Sequence, residues 1–128
     1  MKKTFLISAA GVILSLAGCG RSTQPAAFTQ ISSSEAVKMM DETDDYKIVD
    51  VRTVSEYNSG HIPNAICIPN ESIDENVTAI LTDKEQTLLV YCRSGNRSKQ
   101  ASQKLAELGY TNIYEFGGVN TWEGELVK

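Results

Sequence analysis

Along the chain, runs of apolar residues with a period of two or none alternate with runs of helical period. Ser32-Ser33-Ser34-Glu35 matches a capping box, a hydroxyl at the N-cap and a carboxylate three residues on. Ala36, Val37, Met39 and Met40 then supply one apolar face, and Asp41 to Asp45 is a polar turn. Lys47 to Val51 reads as a strand, and Thr53 to Asn58 as a helical turn ending at Ser59-Gly60. Ala65 to Ile68 is a second short strand closed by Pro69. Ile73, Val77, Ile80 and Leu81 are spaced for one face of a helix over 73–81. Thr87 to Tyr91 is a continuous apolar run, which suits a strand covered on both faces of a parallel sheet. Ser98 to Leu108 has the clearest helical period, with Ala101, Leu105 and Leu108 in line and Gly109 as the C′ residue. Asn112 to Phe116 is a final strand, broken by Gly117-Gly118, and Val119 to Leu126 reads as a short last helix. Strands alternating with helices predict an α/β fold with a mainly parallel central sheet flanked by helices. Sites in such sheets form outside the carboxyl ends of the strands, which directs attention to the loop after Tyr91.

The first 18 residues have a different pattern. Lys2 and Lys3 precede an almost wholly apolar run from Phe5 to Ala17. That run is shorter than the roughly 20 residues of a membrane span. A positive start, a short apolar stretch and small residues before the cut describe a secretory signal peptide. Leu16-Ala17-Gly18-Cys19 resembles the lipobox of bacterial lipoproteins, in which cleavage precedes a cysteine that carries the lipid. Cys19 is therefore the expected lipidation site, and a diacylglyceryl group meets the need for more than one chain in stable anchoring. Residues 19–30, rich in Ser, Thr, Gln and Ala, read as the lipidated cysteine and a flexible tether. Residues 31–128 remain for one domain, placed outside the cytoplasm in the cell envelope of a bacterium.

Charge adds little. The full chain carries 12 basic and 16 acidic side chains, and loss of the leader removes two lysines. No basic stripe or aromatic–basic interleaving points to nucleic acid, so none is expected as a partner. The acidic balance favours solubility, and a monomer is expected.

Of the three cysteines, Cys67 and Cys92 belong to the domain. No CxxC or Cys/His cluster suggests a metal, and no cofactor is expected. An extracytoplasmic setting leaves a Cys67–Cys92 disulfide open. Cys67 lies in an apolar strand and reads as core, with a resolving thiol as the alternative. Cys92 ends the apolar run and opens Cys92-Arg93-Ser94-Gly95-Asn96-Arg97-Ser98, after which a helix starts. A short strand-to-helix loop can turn successive N–H groups inward to form an anion-binding nest. The helix N-terminus adds free N–H groups and a positive dipole end. A thiol at the centre of such a nest is stabilised as thiolate, the nucleophilic form. Arg97 is placed as an anion ligand. Arg93 either contacts the anion or faces solvent. Ser94, Gly95, Asn96 and Ser98 are expected to act through backbone N–H groups.

This loop resembles the active-site loop of the rhodanese superfamily. Asp50-Val51-Arg52 with Glu56-Tyr57, Gly60-His61-Ile62-Pro63-Asn64-Ala65-Ile66, Gly109-Tyr110, and Gly117-Gly118 with Trp122 resemble other segments of that family in the same order. The resemblance implies a sulfurtransferase with Cys92 as catalytic nucleophile and a Cys92 persulfide as intermediate. It implies a small anionic donor such as thiosulfate and a thiol or cyanide-like acceptor. Asn64 stands where the family usually has Gly, and Asn tolerates the left-handed backbone a turn there needs. Asp50 and Arg52 are expected to form an ion pair supporting the site, and His61 to hold a turn rather than to form a Cys–His dyad. Two other functions compete. A cysteine phosphatase would use a Cys-x5-Arg loop, whereas here the spacing is Cys-x4-Arg. A sulfur carrier or an oxyanion- or persulfide-binding lipoprotein would use the same loop without turnover.

Overall fold

The computed structural model describes residues 27–128. The expected leader, the lipidation site Cys19 and most of the tether lie outside the described residues. Among the described residues five strands form one wholly parallel sheet: β1 (Thr29–Gln30), β2 (Tyr46–Asp50), β3 (Ile66–Cys67), β4 (Thr87–Cys92) and β5 (Ile113–Gly118), in the order β1-β5-β4-β2-β3. Three α-helices, α1 (Ser33–Glu42), α2 (Val54–Ser59) and α3 (Asn96–Glu107), and short 3-10 turns cover it. This is the α/β architecture that the alternating pattern predicts.

Each face of the sheet has its own apolar cluster. Val49, Leu88, Val90, Cys92 and Ile113 meet Ala101 and Leu105 of α3 and Val77 and Leu81 of the preceding turns. Ile48, Leu89, Tyr91 and Phe116 face Ala36, Met39 and Met40 of α1. β4 sits centrally, and its last five residues are buried, so no polar face interrupts its apolar run. The last of them is Cys92, on the α3 face.

Several boundaries differ from the sequence reading. Thr29 and Gln30, assigned to the tether, form the edge strand β1 along Tyr114 and Glu115 of β5. The helix expected over 73–81 is instead two 3-10 turns, Asn70–Ser72 and Glu75–Ala79, with Ile80 exposed. The tighter turn still buries Ile73, Val77 and Leu81. β5 runs through Gly117-Gly118 rather than stopping there. The last helix shrinks to Val119–Thr121, because the chain beyond it is held by a bridge between His61 and Val127. Asn64 has φ 72°, the left-handed turn that an Asn in this position accommodates.

Asp50, at the end of β2 and fully buried, accepts the Arg52 backbone N–H at 3.0 Å and the Arg52 guanidinium at 2.7–3.1 Å. It also accepts the Tyr91 hydroxyl at 2.7 Å. Tyr91 accepts the Ile62 N–H at 3.1 Å, and Arg52 donates to the Gly60 carbonyl at 2.6 Å. Burial works against the Arg52 charge, yet the Asp50 carboxylate holds it above its ordinary value. One ion pair thus ties β2, β4 and the 60–62 turn together. Asp50→Ala strands the buried Arg52 charge, and urea unfolding is expected to show a loss of about 3–5 kcal/mol. Removing both partners, as Asp50→Ala with Arg52→Met, is expected to cost less than that single change.

Candidate active site

The end of β4 forces the site into being. Cys92 is 1% exposed, and the chain must turn from a buried strand into α3 within three residues. Gly95 makes that turn with φ 114°, a conformation that L side chains rarely adopt, and stands at the N-cap of α3. Its N–H points at the Cys92 sulfur, with N···S 3.0 Å. Burial alone would push the Cys92 thiol up. The Ser98 hydroxyl and the N–H groups of Ser98, Gly95 and Ser94 outweigh burial and hold it below its ordinary value. These groups gather around the sulfur at the start of α3.

β5 holds the loop from below. The register between β4 and β5 shifts between Val90 and Cys92, which sets Cys92 opposite Gly118. A Cβ at Gly118 would overlap the Arg93 carbonyl group and meet the Cys92 oxygen, so only glycine allows this approach. Asn120 N–H adds a bond to the Arg93 carbonyl at 3.2 Å.

Known proteins share this arrangement of sequence and fold. The model of the rhodanese-like domain family matches residues 32–125. The chain belongs to the rhodanese-like family. The thiosulfate sulfurtransferase PspE of Escherichia coli is 38% identical over 71 residues, covering 56% of this chain and 68% of that protein. The thiosulfate sulfurtransferase GlpE of Pseudoalteromonas translucida is 31% identical over 100 residues, covering 76% and 90%. A rhodanese from E. coli, solved with anions, superposes with a TM-score of 0.61 at 35% identity, covering 65% of this chain and 98% of that one.

Within this rhodanese-like domain the sequence-predicted residues fall into two groups. Cys92, Ser94, Gly95 and Ser98 converge on the sulfur. Arg93 and Asn96 are exposed around the loop, as is Ser94 although its N–H reaches the sulfur. Arg97 does not point into the nest: its guanidinium makes a two-pronged pair with Glu56 of α2, at 2.7 and 3.1 Å. Arg97 holds the Glu56 carboxyl down at about 2, and the Thr53 cap contributes. The stability from that depressed carboxyl is present above the ordinary Glu range and is lost as pH falls toward about 2. The Arg97 charge remains close enough to be raised by the Cys92 thiolate as well as by Glu56.

Two expectations are corrected. Ser98 does not open α3; it lies in the first turn, fully buried, and its hydroxyl, not only its N–H, contacts the Cys92 sulfur at 3.4 Å. Cys67 is half-buried rather than core, with its sulfur 3.8 Å from the Arg52 carbonyl, and burial pushes its thiol up. Both domain cysteines are unbridged. His61 stacks on Tyr57 at 3.7 Å between ring centroids, and its Nδ1 lies 3.0 Å from the Tyr57 carbonyl. It braces the turn beside Arg52 and forms no dyad with Cys92.

Sequence reasoning passed over Glu115. This carboxylate is 2% exposed in β5 and accepts the Ser98 hydroxyl at 2.5 Å and the Gly117 N–H at 2.8 Å. A charged residue at an inward position between Ile113 and Gly117 was the available signal. Against the outer side of the loop lies a cleft of about 650 Å³, bordered by Ser94, Gly95, Glu115, Ile31, Ser33 and Trp122. Gly118→Ala is expected to displace the Arg93 carbonyl and open the cradle. Site-resolved alkylation should then find the Cys92 thiol shifted upward, with little change in far-ultraviolet circular dichroism.

Proposed function

We propose that this chain is a sulfurtransferase that carries sulfane sulfur from a small anionic donor of the thiosulfate type to a thiophilic acceptor. The observation that carries the reading is the Cys92 sulfur, enclosed by loop N–H groups that favour its thiolate despite burial. PspE and GlpE, which bear the name thiosulfate sulfurtransferase, support the donor class. The thiolate attacks the outer sulfur of thiosulfate, a Cys92 S–S bond forms, and the donor's S–S bond breaks. Sulfite leaves with the bonding pair, and a persulfide anion remains on Cys92. A cyanide or thiolate acceptor then takes the outer sulfur and returns the Cys92 thiolate, so two easier steps replace one.

The same amides receive the persulfide anion, since a nest holds negative charge on whichever sulfur sits in it. Arg97, once drawn from Glu56, adds a planar two-donor fork for the donor's oxygens. A cysteine phosphatase is disfavoured by the short Cys-x4-Arg loop clamped at Gly118, which leaves a ring suited to a sulfur-sized group. A carrier without turnover would keep the persulfide and lack the second step.

Thiosulfate and cyanide assayed together are expected to give thiocyanate with the intact domain. Cys92→Ser should abolish it, and Arg97→Ala should raise KM for thiosulfate more than it lowers kcat. A persulfide on Cys92 by mass spectrometry without thiocyanate release would favour the carrier, and neither product would remove the reading.

The leader extends this proposal to the cell. Cleavage before Cys19 and its lipidation would hold the domain at the outer face of a bacterial membrane. Cys19→Ser is expected to abolish labelling by a fatty-acid probe and detergent partitioning. Persistent labelling of the variant would overturn the anchor.

A further inference from the structure

Glu115 and Ser98 form a chain of contacts that ends on the nucleophile. Cys92, Ser98 and Glu115 are 1%, 0% and 2% exposed. Ser98 Oγ stands between the other two, 3.4 Å from the sulfur and 2.5 Å from Glu115 Oε2. Gly117 N–H, at 2.8 Å, fixes that same carboxylate oxygen. Glu115 makes no ion pair among the described residues.

A hydroxyl carries one hydrogen. When Ser98 gives it to Glu115, its oxygen can only accept from the sulfur, which suits the thiol. When Ser98 gives it to the sulfur, it supports the thiolate, and Glu115 must then carry a proton of its own. Each arrangement satisfies every polar atom in the row and holds a single negative charge. Passing from one to the other therefore creates no new charge in a buried site, where an added charge is costly.

We propose that Glu115 stores the Cys92 proton, acting through Ser98 as a relay. The S–H bond of Cys92 breaks as a new O–H bond forms on Ser98, while the original Ser98 hydrogen passes to Glu115 Oε2. Nothing is oxidised or reduced, and the proton returns by the same row when the thiol reforms. Glu115 touches Ser98 and not the sulfur, so it is a positioning residue. The inference deepens the sulfurtransferase reading and rests on it for its purpose, though not for its test.

Two acids that share one proton titrate as a pair in two steps. Between the steps, the fraction of thiolate depends on the internal exchange and not on pH. Other charges surround the row. Arg93 comes from the loop, and Arg97 and Lys99 from α3. Glu56 of α2 faces Arg97, as does Glu71 of the first 3-10 turn, and Glu123 shares the cleft with Glu115 and Lys99. The charged residues of α1, Glu35, Lys38, Asp41 and Glu42, are exposed, and β1 and β4 bring none. These neighbours move the two steps along the pH axis but do not create a flat region between them.

The test is the rate of iodoacetamide alkylation against pH, read on the Cys92 peptide by mass spectrometry so that Cys67 does not contribute. The native protein is expected to show two rises separated by a flat stretch. Glu115→Gln keeps the shape but cannot accept the proton, and is expected to give one rise, about tenfold per pH unit below its midpoint. Ser98→Ala keeps the carboxylate and breaks the row, and should also give one rise; it serves if Glu115→Gln does not fold. Ser98→Thr, which restores a hydroxyl, should restore the flat stretch. A single rise in the native protein, or a flat stretch that survives both Glu115→Gln and Ser98→Ala, would overturn the relay. A flat stretch in a protein that makes no thiocyanate would leave the relay standing and remove the sulfurtransferase reading.

Discussion

A buried sulfur that must also be an anion is the constraint on which this molecule turns. Burial and ionisation oppose each other, because a charge taken out of water needs partners to replace the solvent it loses. The partners here are the Ser98 hydroxyl and main-chain amides, and the amides cannot rotate away or ionise. They are available because a strand ends and a helix begins within three residues, leaving N–H groups without helical acceptors. The chemistry at Cys92 is in large part a property of the backbone path, with the Ser98 hydroxyl as the side-chain partner at the sulfur.

Three supports do this from different sides. α3 anchors the far end of the loop through Ala101 and Leu105 in the core. β5 presses Gly118 against the near end. Behind both, the Asp50–Arg52 pair and Tyr91 lock the ends of β2 and β4 to the 60–62 turn. Tyr91 is the residue before the nucleophile, and burial together with Asp50 pushes its phenol well above its ordinary range. Its hydroxyl therefore stays a donor, and the strand that delivers Cys92 has a fixed end.

Much of this was legible in the sequence, and the parts that were not share a physical cause. The central strands and α3 carry long periodic or unbroken apolar runs, so their place in the core can be read from the residues. The nest was legible because Cys, Gly and a helix start in that order permit few backbone paths. β1 was not legible: two polar residues, Thr29 and Gln30, pair only because β5 offers a free edge. The 73–81 segment has helical spacing but folds as 3-10 turns, a difference that packing decides and spacing does not. The helical period was read from Ser98, but α3 starts at Asn96 with Gly95 at its N-cap, and the Ser98 hydroxyl is used by Cys92 and Glu115. Arg97 was read as an anion ligand of the loop; it lies in the first turn of α3, and its pairing with Glu56 of α2 depended on two helices meeting in space.

The contact between Gly118 and the Arg93 carbonyl also bears on what this scaffold can become. With its two ends pinned, the loop has no slack, and one inserted residue would have to bulge outward or break the contact with β5. A wider ring, sized for a bulkier tetrahedral group, is thus not a single step away. It would require a coordinated change in the following strand, so the enclosure's diameter is guarded by a residue 26 positions downstream of Cys92.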